Sequence, residues 1–467
     1  MAKLYLFCLG GTGTRVLRSL TMVLSAGVKV AIDEIVPIII DSDLSNGDLI
    51  RTVSLLKDYT QIRSKLTFEE YNNNTFFKTR VRELLNDYML VTNGNHRNSH
   101  RYLEFESMSK ANQAMTQMLF SSKNLDLSHD SGFKGYTNIG SVMLNQLTNS
   151  PDFVSIEKSF EPGDKIFIIS STFGGTGVCG FPLLLETLRD NNENPNHELL
   201  SKAKIGSIMI LPYFALQTTI ESEIDSCSFI SKTNSALEYY ENISFFKHHI
   251  DVLYYLGSDY KITYEHNECG VNQKNLAHIV EFFAASAIVD FCNNGYESDI
   301  TIHKELGIRK ATETVTFSEL YDGLTEMMRL PLTQFMLLAN CFGNKFDTVK
   351  SSIILANLRF GLNSEFYNSP FVNVIKKFLE DYKNWLKELQ ANTPSLCLFD
   401  LWDTNKPFDI IKGVKPLSVF SIFSNYNLFF ERVNSAASKC NSKNKEDRLL
   451  ELYSLATKRL AKEKFNF

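Results

Sequence analysis

The sequence predicts an α/β protein: a doubly wound, mainly parallel sheet with a helical insertion and a mainly helical C-terminal region. Three observations carry this. Short apolar runs of strand length, such as IVPIII, alternate with segments whose apolar residues recur at helical spacing. These runs are continuous rather than alternating with polar residues, as expected of parallel strands covered on both faces. Two of them end in glycine-rich turns that lead directly into helical patterns.

The elements follow in order. Leu4 to Leu9 is a strand ending in GGTGTR, and RVLRSLTMVLSAG continues as a helix. IVPIIIDSD is a second buried strand with Asp41 and Asp43 just past its end. Residues from about 45 to 131 are polar and Asn-rich, and read as a helical insertion with helix-like pieces at Arg80 to Tyr88 and Ser107 to Leu119 around the loop NGNHRNSHR. Strand and helix then resume: KIFIISSTFGGTG leads into FPLLLETLRD, followed by the strands KIGSIMILPYF and IDVLYYLG. A long apolar helix spans about 275 to 292. Beyond Pro331 strand signals fade and amphipathic helical segments take over, dividing the chain at about 330/331 into an α/β domain and a helical one.

Composition narrows the classes of function. The 467 residues allow about two or three domains, and 44% apolar content with 35 Phe implies a large core. A net charge of −5 gives no indication of nucleic acid as a partner. The eight cysteines are scattered without CxxC pairs or zinc spacing, which fits a reduced compartment and a cytoplasmic location. The first apolar run stops at Gly10, short of a secretory segment, and no run reaches the about 18–20 apolar residues of a membrane span. No Ser/His/Asp or Cys/His arrangement emerges from the spacing.

The two glycine turns are the chemical signal. In open α/β sheets ligands sit beyond the carboxyl ends of the strands, where glycine lets backbone N–H groups approach a phosphate and a helix start favours an anion. One turn is Gly10, Gly11, Thr12, Gly13, Thr14; the other is Gly174, Gly175, Thr176, Gly177. Neither is followed by the GK[ST] of a Walker A loop. In the first, Gly11, Gly13 and Val16 take the places of GxGxxG, so the third glycine is missing.

Read with its flanks, SSTFGGTGVCGFP resembles the tubulin/FtsZ signature GGGTG[ST]G, with Phe173, Val178 and Cys179 at three of its places. The order of the other elements is similar too. LFCLGGTGTRVL resembles the first phosphate-approaching loop, IIIDSD the next, and GFKGYTNIG the loop GAGANPEVG, with Gly135 inside it. SIMILPYF and IDVLYYLG resemble later strands of that family. The resemblance covers about residues 4 to 325 and lies nearest the divergent bacterial tubulin-like proteins.

It implies GTP or GDP held at Gly10 to Thr14, Gly135 and Gly174 to Gly177, with Asp41 or Asp43 near Mg²⁺ through water. On the residues alone, those two carboxylates serve equally as caps of the next helix or turn. At the base-reading place, Ala277 replaces an Asn; Asn275, Gln273 and Asn272 are the substitutes nearby. ETVTFSEL resembles the family's acidic loop, leaving Glu319 as the candidate catalytic carboxylate or, equally, a solvated helix-start residue. The resemblance implies head-to-tail self-association and slow, assembly-dependent hydrolysis. Two alternatives stay open: a nonhydrolysing nucleotide-bound scaffold recruiting protein partners, and an NAD-dependent oxidoreductase with Asp41 on a ribose.

Overall fold

The computed structural model describes residues 2–70, 72–91, 99–126, 133, 137–147, 150–190, 196–217, 226–242, 249–258, 262–264, 270–298, 300–344, 346, 361–401, 407–414, 417 and 426–467. Seven strands form one parallel sheet: β1 Lys3–Leu9, β2 Glu34–Ile40, β3 Arg80–Val81, β4 Lys165–Ser171, β5 Lys204–Ile210, β6 Val252–Leu256 and β7 Ile302–Glu305. Their spatial order is β3-β2-β1-β4-β5-β6-β7. The order reverses between β1 and β4, the place where doubly wound sheets open a crevice for ligands.

The central strands are apolar because both faces are covered. Leu4, Leu6 and Cys8 of β1 join one hydrophobic core, while Tyr5, Phe7 and Leu9 join another across the sheet. Helix α1 (Gly10–Ser25) packs into the first core through Val16, Leu17 and Leu20. Helix α2 (Gly47–Arg63) lies beside it on the same face. The second core is filled by Ile139 and Leu144 of α3 (Thr137–Leu144), Phe153 and Ile156 of α4 (Pro151–Ser159), and Phe181, Leu184 and Leu188 of α5 (Gly175–Asp190). Pro37 is tolerated within β2 because β3 pairs only with Glu34 and Ile35, and contact on that side resumes at the isolated Ile39–Met89 bridge.

Three expectations need correction. The segment Arg80 to Tyr88 is not helical: Arg80–Val81 is a strand on the edge of β2 and Asn86–Tyr88 a single 3₁₀ turn. Edge pairing, with Arg80 Nε bonded to Glu34 at 2.9 Å, overrides local helical propensity. The stretch from about 45 to 131 therefore contributes α2 and β3 to the sheet layer itself. The separate helix Lys110–Leu119 in it has no buried residue.

The long apolar helix, α6, begins at Ile279, four residues later than its apolar pattern suggests, and ends at Asn293. A capping box decides the start. His278 Nδ1 accepts from the Val280 amide (3.2 Å), and Glu281 Oε2 accepts from the His278 amide (3.2 Å).

The expected boundary at 330/331 falls inside a helix. Helix α7 (Asp322–Asn344) runs through Pro331, and with α8 (Pro370–Ala391) and α9 (Lys445–Phe465) it shares the core of α1, α2 and α6. The C-terminal region is mainly helical, but its apolar stripes close one face of the sheet rather than a core of their own. Trp385 of α8 is fully buried and its indole N–H donates to Ser19 Oγ of α1 at 3.2 Å. Among the described residues, no helix is long and apolar enough to cross a membrane.

Candidate functional site

Both glycine turns stand at the carboxyl ends of adjacent strands. Leu9 ends β1 and α1 starts at Gly10, whose φ of +67° is the left-handed value that favours glycine. No side chain caps α1. Gly13 is required for a different reason: a Cβ there would lie 2.7 Å from the carbonyl carbon of Cys8, so only glycine lets the helix turn down against its own strand.

The second turn is equally tight. β4 ends at Ser171 and α5 starts at Gly175. A Cβ on Gly177 would lie 2.9 Å from the backbone N and O of Ser171, and Ser170 Oγ donates to the Gly177 carbonyl at 3.0 Å. Because β1 and β4 are neighbours and α1 and α5 cover opposite faces, the two helix starts lie side by side. A Cβ on Gly10 would be 3.3 Å from Thr176 Cβ.

Where the turns depart from glycine, packing explains it. The Phe173 ring packs edge-on against Tyr213 and Phe214, with centroids 6.2 and 5.5 Å away, and is tilted against Phe229. Cys179 faces Gly140 of α3, where a Cβ would come within 2.5 Å of the Cys179 sulfur. The glycine that Cys179 replaces is compensated by a glycine on the facing helix.

The site keeps unpaired donors. Thr12 and Thr176 are each only 8% exposed as residues, but their hydroxyl oxygens are not among the buried ones; they make no hydrogen bond among the described residues and open toward solvent. The Ser42 hydroxyl, between the two carboxylates in sequence, is buried and has no partner among the described residues, which is unusual because buried hydroxyls are normally satisfied. Thr14 is different: its Oγ1 donates to the Gly10 carbonyl at 3.1 Å and supports the helix.

Asp41 and Asp43 have separate jobs. Both Asp43 oxygens are committed, Oδ1 to the amide (3.1 Å) and hydroxyl (2.7 Å) of Ser45 and Oδ2 to the Gly270 amide (2.9 Å). This is the turn-forming role open to it from the sequence. Asp41 Oδ1 accepts from the Asp43 amide at 3.2 Å, and the Ser42 amide also bonds this carboxylate. Burial pushes the Asp41 carboxyl up to about 7, with the Asp43 charge adding to the rise against backbone hydrogen bonds. By strand register Leu9 pairs with Ile40, which sets Asp41 beside Gly10.

The candidate base-reading residues lie along the start of α2. Asn46 caps that helix through Oδ1, accepting from the amides of Asp48 (2.8 Å) and Leu49 (3.3 Å), and its Nδ2 donates to Gln273 Oε1 (2.8 Å). Asn275 donates to Asp48 from both its amide (3.2 Å) and its side chain (3.2 Å), and its carbonyl accepts from Arg51. Gln273 and Asn275 are thus brought near the first turn, since a Cβ on Gly11 would lie 4.0 Å from Asn46 Nδ2. Gly135 lies outside the described residues. Glu319 sits in the turn after the short strand Thr314–Val315, where its carboxylate accepts from the Thr316 amide (2.7 Å), Thr316 Oγ1 (2.6 Å) and Ser318 Oγ (2.7 Å). None of these bonds reaches the glycine turns.

A buried ionic cluster behind the first turn escaped the sequence reading. Arg15 Nε bonds Glu281 Oε1 at 2.7 Å, and its Nη2 donates to the Tyr213 hydroxyl at 2.6 Å. Glu388 of α8 accepts from Arg18 at 2.6 and 3.0 Å, from Arg51 at 3.2 Å and from the Ala277 amide at 2.9 Å. The available signals were Arg15 and Arg18 in an apolar helix and a lone Glu281 in AHIVEFFAASAIV. Among the described residues, no group of three His, Cys, Asp or Glu side chains is placed to hold a metal.

No family model matches the sequence, and no curated protein matches it. Among solved structures, CetZ from Methanosaeta thermophila strain DSM 6194 is similar at 14% identity and a TM-score of 0.25, over 55% of this chain and 46% of that one. The GDP-bound monomer of CetZ1 from Haloferax volcanii overlaps at 11% identity and a TM-score of 0.28, covering 55% and 51% of the two chains. The empty FtsZ dimer of M. jannaschii overlaps at 14% identity and 0.26, covering 55% and 45%. The chain spans about half the length of these structures, and overlaps at such scores do not assign a function.

Proposed function

We propose that the chain is a tubulin/FtsZ-like nucleotide-binding protein that grips a phosphate chain between its two glycine turns, with GTP and GDP as ligands. The observation that carries this is the pair of adjacent, glycine-led helix starts, with the Thr12 and Thr176 hydroxyls making no hydrogen bond among the described residues. The amides of Gly11, Thr12, Gly175 and Thr176 belong to first helical turns, whose N–H groups lack intrahelical acceptors. Each helix start favours an anion by about 0.3–1 kcal/mol. The threonine hydroxyls donate to phosphate oxygens, and glycine at 10, 11, 174 and 175 keeps Cβ atoms out of the approach.

Asp41 is the carboxylate that suits a hydrated Mg²⁺, because its bonds are to backbone amides of its own turn while Asp43 is held across the fold by Gly270 as well as by Ser45. When bound, the cation neutralises phosphate charge. Head-to-tail self-association follows from the same resemblance, and a cytoplasmic location from the scattered cysteines. A specific observation favours a second reading, a scaffold that keeps its nucleotide: every hydrogen bond of the Glu319 side chain is spent within its own turn.

Calorimetric titration of the full chain with GTP, GDP and NADH, with nucleotide analysis of the purified protein, tests the reading. Binding of GTP and GDP is the expected result. Binding of NADH alone replaces this reading with the oxidoreductase. Sedimentation with GTP, GDP and a slowly hydrolysed analogue then separates nucleotide-driven polymer from a nonassembling scaffold.

A further inference from the structure

Two surfaces of the chain each gather exposed apolar side chains. The first is the helix Lys110–Leu119, on which Met115, Met118 (87% exposed) and Leu119 recur at the i, i+3, i+4 spacing of a single face. The helix is tied down by its opposite, polar side, where Gln113 Nε2 donates to the Phe105 carbonyl at 3.0 Å and Thr116 Oγ1 to Met108 Sδ at 3.6 Å. The apolar face is thereby turned outward. A ten-residue helix with no buried residue is marginal on its own in water, and a Met-bearing stripe at this spacing is the kind of surface that seats in an apolar groove.

The second surface is such a groove, of about 680 Å³, between α2 and the chain from 86 to 91. Leu49 and Met89 of its lining are buried, while Leu44, Ile50 and Val91 are half-exposed. Exposed apolar patches of this kind mark interaction sites. The α2 stretch from Leu49 to Asp58 and the helix Lys110–Leu119 have the same length, about 15 Å at about 1.5 Å per residue.

Charge is matched as well. Around the groove Lys57 is spent on Asp87, and Asp58 receives Lys377 at 2.7 Å. Asp152 accepts from the Val91 amide at 3.1 Å, and no cation pairs with it among the described residues. The helix carries Lys110 and no acidic residue, and Lys110 has no ionic partner among the described residues. In the single chain both surfaces stay open, so the chain's own helix is not what fills its groove.

We propose that two copies of this chain associate through these surfaces, the helix Lys110–Leu119 of one copy lying in the α2 groove of the other. Met115, Met118 and Leu119 cover Leu44, Ile50 and Val91, and Lys110 supplies the cation that Asp152 lacks. The contact involves no nucleotide and is independent of the phosphate-site reading.

The test is sedimentation equilibrium of the full chain without nucleotide, for the wild type, Met118→Glu in the helix and Ile50→Glu in the groove. The wild type should associate reversibly, and each variant should weaken association by about thirtyfold or more, because it drives an unpaired carboxylate into an apolar contact. Both positions are exposed, so thermal midpoints should stay within about 2 °C of the wild type. An equimolar mixture of the two variants should form heterodimers, since one retains an intact groove and the other an intact helix. A wild type that is monomeric up to about 100 μM overturns the proposal, as does association that both variants retain or a mixture that stays as monomeric as its components. None of these results touches the phosphate-site reading, which calorimetry with nucleotide decides separately.

Discussion

Gly10 and Thr176 face each other across the β1–β4 boundary, so closely that a Cβ on Gly10 would lie 3.3 Å from Thr176 Cβ. Two turns far apart in sequence thereby become one cradle, and each glycine in it carries a distinct constraint.

Gly13→Ala should destabilise the fold by about 2–3 kcal/mol, because its Cβ meets Cys8 backbone at 2.7 and 2.9 Å and backbone cannot step aside as a side chain does. Gly11→Ala should leave stability nearly unchanged. Urea unfolding of the two variants checks the contrast. Equal losses would place Gly11 among the packing glycines rather than in the ligand approach.

The Asp41 carboxyl, raised to about 7 chiefly by burial, should make anion binding pH-dependent. Its folded value lies above the ordinary 3.8, so the associated stability is full below that value and is lost as pH rises through about 7. In metal-free buffer, phosphate-chain affinity should fall by about tenfold as the carboxylate charge appears beside the first turn. Asp41→Asn should flatten both the affinity and the stability profile, read by calorimetry and by denaturant midpoint at stepped pH.

Glu388→Gln should cost about 3–5 kcal/mol, because it leaves Arg18 and Arg51 facing a neutral partner in a largely buried place. Burial alone would raise this carboxyl; Arg18 first, then Arg51 and the Ala277 amide, hold it below the usual carboxylate range. The paired change Arg18→Met with Glu388→Met should recover much of the loss. Chemical denaturation of the three variants measures the coupling.

His278 should give the fold an acid weakness. Burial takes its imidazole from 6.5 down to about 4, with the Arg15 charge assisting against the Thr393 carbonyl. The depressed value means its contribution is full above 6.5 and is lost as pH falls through about 4, a loss of about 3 kcal/mol. His278→Asn keeps an acceptor for the α6 cap, and its denaturant midpoint should vary less over that range.

Glu319→Gln should leave nucleotide turnover unchanged at high protein concentration, since that carboxylate serves its own turn. A drop of about tenfold or more would return it to a hydrolytic role.

The sequence by itself determined the parallel sheet, the strand-to-helix turns at Gly10 and Gly174 and the helical ending. Each is written in contiguous residues: apolar runs too continuous for a half-exposed strand, and glycines where the chain must turn sharply. What it left open depended on partners distant along the chain. The edge strand at Arg80 exists only because Glu34 and Ile35 are beside it, and α7 passes through Pro331 because tertiary packing outweighs one lost hydrogen bond. Asp41 and Asp43 look alike in IIIDSD; Gly270, reaching Asp43 alone, ties that carboxylate to a distant segment while Asp41 bonds only within its own turn. The cluster of Arg15, Asp48, Glu281 and Glu388 could be assembled only by the fold, because ionic pairing is decided by distance in space and burial, neither of which is local in sequence.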